Sequence, residues 1–154
     1  MSIFHGMNTT ASALTAQRLQ MDVISSNMAN AETTRAKMVD GEWQAYRRKT
    51  VNLQPLENGR FSNFLNVAMG VGGKNGAGNG VKVTSVKEDT ETPFKLVYDP
   101  THLDANEDGY VEMPNVDPLR EMVDLISATR SYEANVTVFN ANKAMMSKAL
   151  EIGK

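Results

Sequence analysis

The sequence predicts an α+β fold in which two long helices, one at each end of the chain, flank a small β-rich module. Apolar residues recur at steps of three and four through residues 1–30 and again through 117–154. β-Branched runs broken by turn residues fill the middle. These periodicities, near 3.5 at the ends and near 2 between them, separate helix from strand.

In the first segment Phe4, Met7, Ala11, Leu14, Met21 and Met28 form the stripe, with Arg18 and Ser25 in its two remaining slots and Ile3, Ile24 and Ala31 beside it. Such spacing lines up one face of a helix with the mean period of a coiled-coil partner. A helix over about 3–30 is roughly 40 Å long at 1.5 Å per residue. Asn27 and Asn30 stand where it ends. Their side chains bond local backbone and tolerate left-handed geometry, which suits helix termination, and a contact to another subunit is compatible with that role.

The middle reads as strands at Tyr46 to Leu53, Val81 to Val86, Phe94 to Tyr98 and Tyr110 to Met113. Glu57-Asn58-Gly59, Asp99-Pro100 and Asp108-Gly109 supply turns between them. Six of the eleven residues from Gly70 to Gly80 are glycine, the composition of a mobile loop.

The last segment carries Met122, Leu125, Tyr132, Val136, Phe139, Met146 and Leu150 on alternating steps, with Thr129 and Lys143 between. Asp117 is a good N-cap, and Pro118 fits the first helical position, where a missing N–H costs nothing. Glu121 and Asp124 complement the positive helix end and Lys148 the negative end. Gly153 suits a stop. Three sections follow: 1–40, the N-terminal helix and the loop after it; 41–116, the β module with its glycine-rich loop at 70–80; and 117–154, the C-terminal helix. The simplest arrangement pairs the two ends as a coiled-coil-like hairpin from which the module projects.

Composition narrows the function. With 41% hydrophobic and 22% charged residues the chain is a folding protein. A net charge of −2 offers no footprint for nucleic acid. Arg47-Arg48-Lys49, the densest basic run, reads as a solvated strand edge rather than a polyanion patch. The absence of cysteine removes disulfides, thiolate chemistry and Cys-based zinc sites. No segment has the ~20 apolar residues of a membrane span. The N-terminus lacks the basic and apolar regions of a cleaved secretory signal.

Charge is scarce in the first helix, where Arg18 and Asp22 are the only formal charges over residues 1–30. A helix wet on one face carries more Lys and Glu; small uncharged groups suit one surrounded by other helices. The stripes of both ends are therefore expected to form assembly surfaces, the alternative being an ordinary helix of a compact monomer. The methionines fit either case, since Met fills irregular gaps. Both ends are expected to order on incorporation, because isolated helices with an uncovered stripe are marginal in water.

Three motifs fail on inspection. Asp104-Ala105-Asn106-Glu107-Asp108-Gly109 imitates the start of a calcium loop, but the twelfth position is Asn115 instead of a bidentate Glu. Gly73-Lys74 is followed by Asn75, and position 68 is Ala, so this is no phosphate loop. His5 and His102, the only histidines, lie on different elements and build neither triad nor metal site. No cofactor, metal, nucleic acid or small-molecule substrate is expected, and no enzyme.

Val23-Ile24-Ser25-Ser26-Asn27-Met28-Ala29-Asn30-Ala31-Glu32-Thr33-Thr34 resembles the N-terminal signature of the flagellar rod, hook and hook-associated axial proteins. Gly109 to Leu125, Ala128 to Asn135 and the ending Lys148 to Lys154 resemble the proximal rod subgroup, as does Tyr46-Arg47-Arg48-Lys49. The resemblance covers essentially the whole chain and singles out Asn27, Ala29, Asn30, Thr33 and Thr34 as a signature loop. It implies a structural subunit exported by the flagellar type III apparatus without a cleaved signal. Such a subunit stacks helically in the rod that crosses the periplasm and carries torque from motor to hook. The terminal helices would form the inner tube and the β module an outer layer. Partners would be other rod proteins, the rod–export-gate adaptor and copies of itself. The competing reading is an export-associated adaptor or chaperone that stops at a finite helical complex.

Overall fold

A computed structural model describes residues 3–39, 41–56, 68–69 and 79–152. The expected turn at Glu57-Asn58-Gly59, the loop at 70–78 and the stop at Gly153 lie outside the described residues. The fold is α+β. Helix α1 spans Ile3–Ala29 and helix α2 Pro118–Ile152. Between them come β1 (Lys37–Val39), β2 (Glu42–Gln44), β3 (Lys49–Pro55), β4 (Val81–Glu88), β5 (Lys95–Tyr98) and β6 (Tyr110–Met113). The strands pair as three two-stranded sheets, β1 with β2, β3 with β4 and β5 with β6.

β1 and β2 are antiparallel, with Met38 opposite Trp43. This hairpin is not among the predicted strands, although Asp40-Gly41 is the dipeptide a tight turn favours and Gly41 takes a φ of 91°. β3 starts three residues later than expected because the backbone of Tyr46, Arg48 and Lys49 is spent elsewhere. Their N–H groups donate to Thr33 O, Asn115 Oδ1 and Asn27 Oδ1. β5 and β6 are antiparallel with Tyr98 opposite Tyr110, their rings edge to face at 5.3 Å. The large residues Leu96 and Tyr98 point outward, and the sheet is anchored instead by buried Val111.

The chain forms two compact units, each drawing on both helices. The first comprises Met1–Arg18, Leu53–Thr84 and Ser131–Lys154, and the second Leu19–Asn52 and Ser85–Arg130. Within the first, Asn135 Nδ2 donates to Gln17 Oε1 (3.2 Å), and Asn142 lies beside Gly6. Ser12 Oγ accepts from the backbone N–H of Val81 (3.1 Å) and so fastens the strand to the helix. Within the second, Thr129 Oγ1 meets Met21 Sδ and Asn27 meets Glu121. In each unit the α2 partner number falls as the α1 number rises, so the helical segments run antiparallel. Among the described residues, no helix is long and apolar enough to cross a membrane.

Helix burial departs from the expected stripe by one residue in alternate slots. On α1, Met7, Leu14, Met21 and Met28 are half-buried as the spacing requires. The slots between them shift toward the N-terminus: Thr10 and Ile24 are buried and Gln17 half-buried, whereas Ala11, Arg18 and Ser25 are exposed. α2 behaves alike. Leu125, Tyr132, Phe139 and Met146 are half-buried, but the intervening covered positions are Glu121, Ala128, Asn135 and Asn142. Val136 is half-buried beside them, and Met122 and Leu150 are exposed. The mean period of 3.5 survives, and the covered positions include polar residues that bond across the helices, Gln17 with Asn135 in the first unit and Asn27 with Glu121 in the second.

Candidate functional site

Two features stand out in the second unit: a buried polar junction and an uncovered apolar face. The junction centres on Asn27, which is 1% exposed. Its Oδ1 accepts from Lys49 N–H (2.9 Å) and Tyr46 O–H (3.0 Å). Its Nδ2 donates to Lys49 O (2.9 Å) and Glu121 Oε2 (3.1 Å). One amide therefore satisfies both backbone groups of a residue on the incoming strand and reaches the second helix. Glu121 is also 1% exposed, and Arg48 Nε donates to its Oε1 at 2.5 Å, with Asp124 beyond at 3.4 Å. A buried carboxylate needs this company, since unpaired charge is costly inside a protein.

Arg48 is thus no part of a solvated basic edge. Arg47 lies over the Phe94 ring at 4.3 Å, and Lys49 over the Tyr46 ring at 5.5 Å. Asn115 is buried as well: it accepts from Arg48 N–H and donates to the carbonyls of Asp89 and Thr92. Arg48, Asn115 and the central role of Glu121 escaped the sequence reading, which saw Glu121 only as a helix-end charge.

The signature residues do different jobs. Asn30 Nδ2 donates back to Ser26 O (2.8 Å), closing the last turn of α1, and Thr33 Oγ1 donates to Asn30 Oδ1. Thr34 Oγ1 donates to Asp104 Oδ2 (2.8 Å), and Arg35 forms an ion pair with the same carboxylate. The Arg35 and then the Thr34 hydrogen bonds hold the Asp104 carboxyl below the ordinary aspartate value. Ala29 is exposed. At the start of α2, Asp117 Oδ1 accepts from Leu119 N–H (3.1 Å), and Pro118 occupies the first helical position. Lys148 lies a turn short of the other end and pairs with Glu151.

The side chains of Asp104 and Asn106 in the acidic turn are engaged within the chain. Asp104 is committed to Thr34 and Arg35, and Asn106 Oδ1 accepts from the N–H groups of Asp108 and Tyr110. Among the described residues no group of three or more His, Cys, Asp or Glu is placed to hold a metal.

The apolar face lies on α2. Leu119 (75%), Val123 (65%) and Ile126 (63%) are open to solvent together with Met122 in the second unit. Val138, Met145 and Leu150 are exposed in the first, as is Phe4 of α1. They lie off the side of each helix that meets its partner.

Residues 7–37 match the family model described as flagella basal body rod protein, and residues 107–152 match the flagellar basal body rod FlgEFG protein C-terminal model. The chain is 62% identical to the flagellar basal-body rod protein FlgC of Bacillus subtilis (strain 168) over 154 residues, covering 100% of both chains. It is 44% identical to FlgC of Borreliella burgdorferi, covering 99% of this chain and 98% of that one. FlgC of Escherichia coli O157:H7 is 42% identical, with 100% of each chain covered. The chain belongs to the FlgC family of flagellar basal-body rod proteins. Members of this family are structural proteins, and the chain is accordingly a component of the flagellar basal body and not an enzyme. The junction at Asn27 and Glu121 joins α1, the start of β3 and α2, and the uncovered apolar side chains of the two helices lie mostly on α2.

Proposed function

We propose that this chain assembles helically through its terminal helices into the proximal rod, the drive shaft that carries torque from motor to hook. The carrying observation is the exposed apolar face of α2, Leu119, Met122, Val123 and Ile126 above all, which its own chain leaves uncovered. Fully burying such a side chain contributes about 1.5–3 kcal/mol, so covering several by a neighbour gives a strong drive to associate. α1 and α2 act as one coiled-coil-like hairpin of the inner tube, and residues 41–116 face outward. The assembly residues are Phe4, Met7, Ala11, Leu14, Met21, Ile24 and Met28 on α1, and Met122, Leu125, Tyr132, Val136, Phe139, Met146 and Leu150 on α2. Those already half-buried shape the hairpin; the exposed ones, Phe4, Ala11, Met122 and Leu150, meet neighbours. Partners are copies of the chain, other rod proteins and the rod–export-gate adaptor. Delivery runs through the flagellar type III apparatus. Contacts that do not close on themselves build an open helical stack.

The test is to replace the natural protein with Met122→Asp and Leu150→Asp variants and measure the chain in purified basal bodies. Because both side chains are exposed, the variants should keep the stability of the parent, yet incorporation and motility should be lost. Normal incorporation of the double variant would overturn the assignment of this face.

A further inference from the structure

The second unit has an open cleft of about 480 Å³ on the side where the β1–β2 hairpin meets the end of α1. Its charged lining is Arg35, Lys37, Arg47, Lys49 and Glu88. Arg35 is matched by Asp104 at the rim. Lys37, Arg47 and Lys49 have no carboxylate partner among the described residues, and the aromatic rings beside Arg47 and Lys49 attract a cation without accepting its hydrogen bonds as a carboxylate would. Beyond the Arg35 pair, the described lining residues set three cations against one anion, Glu88, in a chain whose net charge is −2.

The same chain displays the complement. Glu107 and Asp108 are exposed at the tip of the turn before β6 and make no ion pair among the described residues. Asn106 fixes that turn by accepting from Asp108 and Tyr110 N–H, so two adjacent carboxylates are presented on ordered backbone. They line no part of their own chain's cleft.

We propose that the basic cleft receives the Glu107–Asp108 turn of a second copy of this chain. The contact joins two different surfaces and so repeats from copy to copy, which an open stack requires. It rests on the rod reading above but concerns a cleft and a turn away from the helix stripes. Complementary charge at such a contact fixes register and suppresses wrong pairings more than it raises affinity.

The chain has no cysteine, so introduced thiols report only on themselves. Ala36→Cys, in the cleft, and Asp108→Cys, in the turn, are expressed as separate full-length chains in one flagellated cell, and purified basal bodies are oxidised. Dimers of the chain should form only when both variants are present, and the double variant should give higher multiples. Basal bodies that contain both variants but no such dimers, or dimers from either variant alone, would overturn the proposal while leaving the rod reading intact. Absence of the unsubstituted chain from basal bodies would overturn both. In a second arm, Lys37→Glu with Arg47→Glu should cut incorporation at least tenfold, and adding Glu107→Lys with Asp108→Lys should restore it. Loss without restoration would mean that some other anion occupies the cleft, and the proposal would fall.

Discussion

Asn27→Ala is the sharpest probe of what holds the second unit together. The substitution removes four hydrogen bonds, three to neutral groups and one to the Glu121 carboxylate. At about 1 kcal/mol for each neutral bond and about 2 kcal/mol for the charged one, the sum is about 5 kcal/mol. Entry of water and relaxation of the loop at 46–49 lower this to about 3 kcal/mol. Asn27→Asp has the same shape but sets a carboxylate oxygen where Nδ2 stood, 2.9 Å from Lys49 O and 3.1 Å from Glu121 Oε2. It should cost at least as much as Ala, although no volume is lost. Urea unfolding of the full chain, followed by far-UV circular dichroism and by the single Trp43 in β2, measures both. With a slope of about 1–3 kcal/mol per molar urea, the Asn27→Ala midpoint should fall by about 1–3 M. A midpoint within about 0.3 M of the parent at unchanged slope, or an Asp variant as stable as the parent, would refute the claim that this amide ties strand to helix.

Glu121→Ala should cost about 3–5 kcal/mol, because it leaves the Arg48 guanidinium half-buried without its main partner, and Glu121→Gln should cost less in the same urea titration. At Gly80 a Cβ would fall on Ser12 Oγ at a φ of 89°, so Gly80→Ala should lower stability by about 1–3 kcal/mol; adding Ser12→Ala should recover the steric part but not the backbone part. Acid should weaken the fold through Asp89, Asp99 and Asp104, whose carboxyls are all held below 3.8, by the Thr92, Thr101 and Arg35 hydrogen bonds respectively. Their contribution is complete above the ordinary aspartate value and disappears as pH falls through the lower folded values, since the unfolded chain there binds more protons. Acid titration should therefore show stability declining from about pH 4 downward, and Asp104→Asn should flatten that decline.

Much of this was legible before any coordinates. Both helices follow from 3.5-residue spacing, and the Asp117-Pro118 start is local chemistry that needs no tertiary knowledge. β6 matched because a β-branched residue, Val111, and one aromatic, Tyr110, lie between the Asp108-Gly109 turn and Pro114. The side of each helix that is covered was not legible in full. Hydrophobicity placed Ala11 and Met122 on the covered side, whereas Thr10 and Glu121 are covered instead, and the bonds Gln17–Asn135 and Asn27–Glu121 that accompany this need tertiary proximity. The junction was hidden for a related reason. Asn27, Asn115 and Glu121 are spread over 94 residues of sequence, and each alone has a sufficient local explanation as terminator, turn residue or helix-end charge. Only tertiary proximity gives them a common role.

That one-residue shift has a mechanical meaning. Had the most apolar residues of α1 and α2 faced each other throughout, each unit's helix pair would be stabilised by non-directional burial and would leave little apolar surface outside. Here the pairing is fixed in part by directional bonds: Asn135 to Gln17 in the first unit, Asn27 to Glu121 in the second. Directional polar contacts favour one register over its neighbours, as a buried polar residue does in a coiled coil. The apolar side chains that remain, Leu119, Met122, Val123 and Ile126 among them, are free to make contacts between molecules. Association must first overcome about 4–15 kcal/mol of lost translational and rotational freedom, while each apolar side chain covered returns about 1.5–3 kcal/mol. A single contact is therefore insufficient, and a subunit becomes stable only where several faces are covered together. For a shaft built one chain at a time, such a threshold would favour addition at the end of the stack over pairing in solution.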